Sequence, residues 1–366
     1  MSKFKKKNSE VLATNKCEKE HKRKKRTLIL VTFISGLLFA MAAWAWFSQT
    51  LNVRIDFFQM RVDSDTGLYI SLDGIDFSEE ILISRESILN DLTPRYPNHT
   101  NRWSITGLRP VSSNGLPNPN TDRFDIFWGE VHRRRSAHRD DDPQRRLFAV
   151  REVEDAPTPV SRFVAFDFFL RNITHSPHPD NLFIENDSVI DFSMDEIIDP
   201  EVRANMAGIV NSMRFGLVFK GTVPIGSDIE TIQNMRCEQD CHYVIWEPND
   251  LRHSPESIAR AATKGITVVD GQPHPTFAVI APGGPINHRS GQPGSGVPLD
   301  PNHFALQRTH TNLNDAIWEI PHGITKVRAY LWVEGQDIDG LETDEAITVL
   351  LDVLISLSKD LAGYEY

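Results

Sequence analysis

The twelve residues 347–358, ITVLLDVLISLS, place Ile347, Val349, Leu351, Val353, Ile355 and Leu357 at every second position. Successive side chains of a strand point to opposite faces, so a period of two sustained this long predicts one long half-buried strand. Such a strand needs a second layer over its apolar face. The same alternation runs through Leu51, Val53, Ile55 and Phe57 in LNVRIDF, and through Val164, Phe166, Phe168 and Leu170 in RFVAFDFFLRN. It returns through Val327, Ala329, Leu331 and Val333 in VRAYLWVEG. GLYISLDG, which ends in an Asp73-Gly74 turn, and RFGLVFKG are shorter strand candidates. Strands near the two ends bracket everything else, which points to a mainly β chain with one β-sandwich closed by its first and last strands.

Two helices interrupt the pattern. Asp199 can cap a helix that begins at Pro200 and carries Val202, Met206, Ile209, Val210 and Met213 as a stripe. Ser254 and Pro255 open a second, with Ile258, Ala261 and Ala262 inside and Gly265 as its stop. Residues 90–160, with NGLPNPNTD and HRRRSAHRDDDPQRR, and residues 270–303, with PGGPINHRSGQPGSGVPLDPNH, have the Gly, Pro and Asn content of surface loops. They are read as insertions into the sandwich at about 90–160 and 225–325.

Ahead of the first strand, Thr27 to Phe47 forms 21 residues without a charge, and at about 1.5 Å per residue they span a hydrocarbon core of about 30 Å. This segment is expected as one hydrophobic helix. Eleven of the 39 basic residues but only three of the 50 acidic ones lie in residues 1–26, which holds that leader in the cytoplasm and sends residues 48–366 outside. Ala43 and Ala45 have the small-residue spacing of a signal-peptide processing site, and Ala40 with Ala42 gives a weaker one. The run is also long enough to stay as a single-pass anchor, so the two fates stand side by side. Either way residues 27–47 meet the membrane.

From Trp46 onward 28 basic residues face 47 acidic ones, a net charge of −19. A surface of that sign repels nucleic acid and anionic lipid. Cys17 lies in the leader, which leaves Cys237 and Cys241 as an outside pair able to form a disulfide, although a helical CEQDC would orient them poorly.

Motifs for catalysis are missing: the chain has no HExxH, no G-x-S-x-G and no phosphate-binding glycine loop. No enzymatic activity is expected. The best metal candidate is VEGQDIDGLETDEA, where Glu334, Asp337, Asp339 and Asp344, with Glu345 beside them, offer the hard oxygen ligands that calcium takes. A plain polar turn between strands is the competing reading. Cys237, Asp240, Cys241 and His242 as a zinc set, and His132 with His138, are weaker still. Sequons stand at Asn98, Asn172 and Asn186.

The junction AAWAWFSQT followed by a strand, together with GLYISLDG, YVIWEPND and VRAYLWVEGQDID before a last long strand, resembles exported Gram-positive proteins of the TasA/camelysin group and their clostridial relatives. The resemblance covers about a third of the chain. It implies processing by a SipW-type signal peptidase, a jelly-roll-like sandwich and a non-enzymatic role in surface or biofilm-matrix fibres. Self-association would then follow if Leu51 to Phe57 added as a strand to a neighbour's sheet edge. A membrane-anchored extracellular binding module is the alternative, and a secreted metallopeptidase a more distant one. Camelysin-like proteins have been classed as peptidases, yet no active-site residues carry over, and Gly340 stands where a cysteine often follows the GQDxD segment.

Overall fold

The computed structural model describes residues 52–88, 101–103, 107–131, 145–151, 162–174, 178–193, 208–237, 241–248, 253–255, 257–259, 278–280, 315–334, 337, 339 and 348–360. The apolar run 27–47, with Ala43 and Ala45, lies outside them. Among the described residues no helix is long and apolar enough to cross a membrane.

The described chain is mainly β and forms three sheets. In the first, β13 (Trp318–Ile320), β8 (Asp180–Ile184), β15 (Thr348–Asp360), β1 (Asn52–Val62) and β3 (Glu80–Leu82) lie in that order, with β9 (Val189–Phe192) also against β15. The second runs β11 (Tyr243–Trp246), β10 (Met213–Val223), β14 (Gly323–Val333), β7 (Val164–Asn172) and β2 (Leu68–Ser71). The third is β12 (Ala278–Ile280), β6 (Arg145–Arg151), β5 (Arg123–Val131) and β4 (Ser112–Asn118).

The first two sheets face each other. Phe58 of β1 meets Phe166 of β7 edge-on at 5.7 Å and Phe215 of β10 at 6.4 Å. The long alternating strand takes its expected place: Leu351, Val353, Ile355 and Leu357 are fully buried in this core. Its partner β1 runs parallel to it, Asn52 opposite Thr348 and Val62 opposite Leu357. The first and last strands therefore close one core, and β1 already pairs within its own molecule.

One expected face is corrected. A bulge between Ile55 and Phe57 inserts an extra residue and reverses the alternation, so Phe57 is 41% exposed while Phe58, Met60 and Val62 turn inward. Uniform alternation cannot show where such a residue is inserted.

The second sheet is covered on both faces, which is why every residue of β14 is buried. Its outer face is covered by Val111, Phe124 and Ile126, which pack on Ala165, Val218, Tyr330 and Trp332. Gly216 of β10 makes this fit possible, because a Cβ there would come within 2.8 Å of the Phe124 ring and 3.1 Å of Trp332. The Tyr330 hydroxyl accepts a hydrogen bond from the Phe124 backbone N–H at 3.2 Å. The 90–160 insertion is thus not loop alone: NGLPNPNTD enters β4 and turns at Asn118 to Asp122 into β5. The 225–325 region likewise supplies β11 and β13 to the two main sheets.

Of the two expected helices, residues 208–211 are helical directly before β10, with Ile209 and Val210 buried, and 199–207 lie outside the description. Ser254 caps the second as its sequence indicates, its Oγ accepting the Ser257 N–H at 3.1 Å. A short helix not read from the sequence, α1 (Ile229–Gln233), is capped by the exposed Asp228, whose carboxylate accepts the Thr231 N–H at 2.9 Å. The Thr231 hydroxyl, and then that N–H, lower the Asp228 pKa.

Candidate functional site

The strand order β11, β10, β14 sets Glu247, Arg214 and Trp332 side by side on the outer face of the second sheet, at its end. Arg214 lies opposite Trp332 across the β10–β14 pair, and Glu334 and Asp337 follow from the end of β14. Three of the four calcium candidates therefore converge here, with Glu334 1%, Asp337 5% and Asp339 3% exposed. Asp344 lies outside the described residues.

The centre of the cluster is a guanidinium. Arg214 Nη2 donates to Asp337 Oδ2 at 2.5 Å, and Arg214 Nε stands 2.6 Å from Glu247 Oε1. Glu334 Oε2 accepts the Trp332 indole N–H at 3.0 Å. Asp339 is held by His253 Nδ1 at 2.7 Å and by the Ser254 N–H at 2.9 Å, and its own N–H donates to Asp337 Oδ1 at 2.9 Å. The helical turn before β10 reaches the same loop: a Cβ at Gly208 would lie 2.5 Å from the Asp339 carbonyl oxygen.

Burial works against the charge on Arg214, but Glu247, Asp337 and Glu334 outweigh it and raise its pKa. Burial also raises the pKa of Asp337, against the pull of Arg214 and with the help of Asp339. Calcium takes six to eight oxygens at roughly 2.3–2.6 Å. The carboxylates here are aimed instead at a guanidinium, an imidazole and N–H groups, and among the described residues no group of three or more acidic, His or Cys side chains is placed to hold a metal. The arrangement ties Glu334, Asp337 and Asp339 after β14, together with β10, the end of β11 and the 254 helix start, into one buried ionic network.

A second network lies further along the same sheet. Asp167 pairs with Arg328 Nη1 at 3.0 Å and with Lys326 Nζ at 3.1 Å, and Lys326 also donates to the carbonyl of Gln233 in α1. Lys220 Nζ donates to the Asp122 carbonyl and lies 3.2 Å from its carboxylate, which pins the β4–β5 turn onto the sheet. Asp122 needs that support, since its φ of 52° is one few residues other than glycine adopt.

Burial, with Arg328 nearby, pushes Lys220 down to about 8, against Asp122 and Asp167. A lysine whose folded pKa lies below its unfolded value of 10.5 binds fewer protons when folded, so this group destabilises the fold below about pH 8 and the penalty lifts as the pH rises toward 10.5. Stability is expected to gain on the order of 3 kcal/mol across that window from this group. Urea unfolding at several pH values checks it: Lys220→Met should flatten the slope, and an unchanged slope would refute the assignment.

Cys237 and Cys241 are joined, Cα to Cα 5.4 Å, between α1 and β11. Helix α1 ends before Cys237, and neither cysteine itself lies in a helix. A bonded pair is also not available to zinc as thiolates. Asp240 and the His132 and His138 pair fall outside the described residues, as does Asn98. Asn172 is buried, donating to Asp180 Oδ2 at 3.0 Å and to the Ile320 carbonyl at 3.2 Å, which removes it as a glycan acceptor, while Asn186 is exposed.

Alternation assigns Arg214, Lys220, Asp167 and Arg328 to a solvent face, so the sequence pattern does not mark them. The available signal was aromatic: Tyr330 and Trp332 share that face with Arg328. No protein-family model matches this chain, and no curated protein or solved structure is found to be similar to it.

Proposed function

We propose that this chain is a non-enzymatic protein of the cell surface or extracellular matrix of a Gram-positive bacterium, exported by way of residues 27–47, processed after Ala45 and able to form fibres. The observation that carries this reading is the Cys237–Cys241 disulfide. Disulfides persist in oxidising compartments, and this one lies on the far side of the apolar run from the basic leader with Cys17. The acidic balance beyond the leader suits an exposed, soluble surface.

The strand order supports a jelly-roll-like sandwich, since β1, β2, β3, β7 and β8 alternate in turn between the two main sheets. Addition of the Leu51 to Phe57 strand to a neighbour would proceed as an exchange: β1 leaves its own β15 and takes the same parallel place in the next copy. The ionisable clusters serve to hold elements together in this reading.

The test is the intact mass and N-terminal sequence of the protein recovered separately from membranes and from culture medium, with electron microscopy of the medium fraction. A species in the medium beginning at Trp46, and assembling into fibres, is the expected result. Full-length protein confined to membranes would overturn processing, and a processed species without fibres would overturn assembly.

A further inference from the structure

Three polar side chains from different strands meet inside the sandwich almost without exposure: Asn172 1%, Asp180 1% and Lys359 2%. Asn172 ends β7 in the second sheet, whereas Asp180 opens β8 and Lys359 stands next to the end of β15, both in the first. A lysine near a strand end usually lays its stem along apolar surface and keeps its ammonium in water. Here the ammonium is turned inward, 2.7 Å from Asp180 Oδ2. Leu68, Leu182 and Ile320, the residues paired with Asn172, Lys359 and Asp180, are themselves fully buried, so the trio is shut away from water.

The hydrogen bonds among them arrange the parts of a reaction. Asp180 Oδ2 accepts from both nitrogens, Lys359 Nζ at 2.7 Å and Asn172 Nδ2 at 3.0 Å, so one carboxylate oxygen bridges a primary amine and a carboxamide. Lys359 Nζ also donates to the Thr174 hydroxyl. Asn172 Oδ1 accepts the Thr174 backbone N–H at 3.0 Å, which draws electrons from Cγ and meets the charge that gathers on that oxygen when an amine adds to the carbon. A further Nδ2 bond, to the Ile320 carbonyl at 3.2 Å, fixes the plane of the carboxamide. Amine, carbonyl carbon, oxyanion donor and proton carrier are thus held together in a dry site, where proximity replaces a chance encounter. A simple ion pair needs no carboxamide nitrogen on the oxygen that holds the amine.

We propose that Lys359 and Asn172 join in the folded chain through an isopeptide bond between Nζ and Cγ, with Asp180 carrying the protons. Asp180 Oδ2 takes a proton from the Lys359 ammonium, and the freed lone pair attacks Asn172 Cγ while the carbonyl electrons move onto Oδ1. Asp180 passes its proton to Nδ2, and the Cγ–Nδ2 bond breaks as the electrons return from Oδ1. A second proton from the lysine nitrogen follows the same route, so Nδ2 leaves as an ammonium ion and Asp180 ends as a carboxylate. Overall a primary ammonium and a carboxamide become a secondary amide and ammonium, with nothing oxidised or reduced. The bond ties the last strand of the first sheet to β7 of the second, so the two layers cannot part without breaking a covalent link. It forms within one copy and depends neither on export nor on assembly.

Mass spectrometry of the purified full chain, denatured and thiol-reduced to open the Cys237–Cys241 bond, tests the proposal. The mass is expected to fall about 17 Da below that of the sequence, the loss of one ammonia. A tryptic digest should contain a branched peptide in which residues 329–366, uncut at Lys359, are joined to residues 172–203. Normal cleavage at Lys359 with no loss of mass would overturn the bond, and so would ammonia lost without a branch, which is ring closure of Asn172 alone. A branch lighter by water, about 18 Da, with fragmentation at Asp180 would mean that the lysine acylates on the carboxylate and would overturn the assignment to Asn172. Asp180→Asn keeps the shape but not the proton carrier, and should cut the joined fraction at least about tenfold in freshly purified protein. An undiminished fraction would remove Asp180 from the mechanism. The branched peptide of the unaltered chain decides the bond itself, whether or not that variant folds.

Discussion

Arg214→Met should lower the stability of the protein by about 3–5 kcal/mol, read as the shift of its urea unfolding midpoint at pH 7. Methionine fills much of the arginine's volume, so the loss comes from charge. Arg214 is 2% exposed and stands between Glu247 and Asp337, with Glu334 close by, and its removal leaves these buried carboxylates facing one another. Each must then bear its desolvation without a counter-ion or take up a proton. Combining Arg214→Met with Glu247→Gln and Asp337→Asn should restore most of the loss, since breaking a buried pair costs far more than replacing it whole. A loss below about 1 kcal/mol in the single variant would show that the network does not depend on the guanidinium.

The same cluster shows how far the sequence could be read. Glu334, Asp337 and Asp339 stand out because they fall close together in the chain, and they do converge in space. Their counter-ions do not stand out, because Arg214 is about 120 residues away in sequence and is brought there by the β10–β14 register. Alternation located β1, β7, β14 and β15 because each carries a run of apolar residues at every second position. It could not reveal that the second sheet has two covered faces, since the covering layer comes from a segment rich in Gly, Pro and Asn. In that segment Phe124 and Ile126 carry the burial while the turn residues dominate the composition. Lys359 at the end of β15 shows the same limit: it reads as a solubilising terminal charge, yet it is buried against Asp180 at 2.7 Å.

The bulge in β1 gives the sharpest contrast between neighbouring residues. Continued alternation from Val53 through Ile55 would make Phe57 a core residue and Phe58 a surface one, and the structure reverses both. Phe58→Ala should therefore cost about 3–5 kcal/mol, because it empties a space between Phe166 and Phe215 that rigid strands on two sheets cannot close. Phe57→Ala should change stability by no more than about 0.5 kcal/mol, since its ring lies on the outer face. Urea unfolding of the two variants side by side decides the matter. Equal losses would mean that the bulge is absent or elsewhere, and a larger loss for Phe57 would restore simple alternation. The insertion also decides which faces of β1 meet the core. A strand without it would turn Phe57 inward with Ile55, whereas the bulge keeps Phe58, Met60 and Val62 on the core side of β15 and frees Phe57 for the outer face. One inserted residue thus gives the same strand a core phenylalanine and, beside it, a surface one.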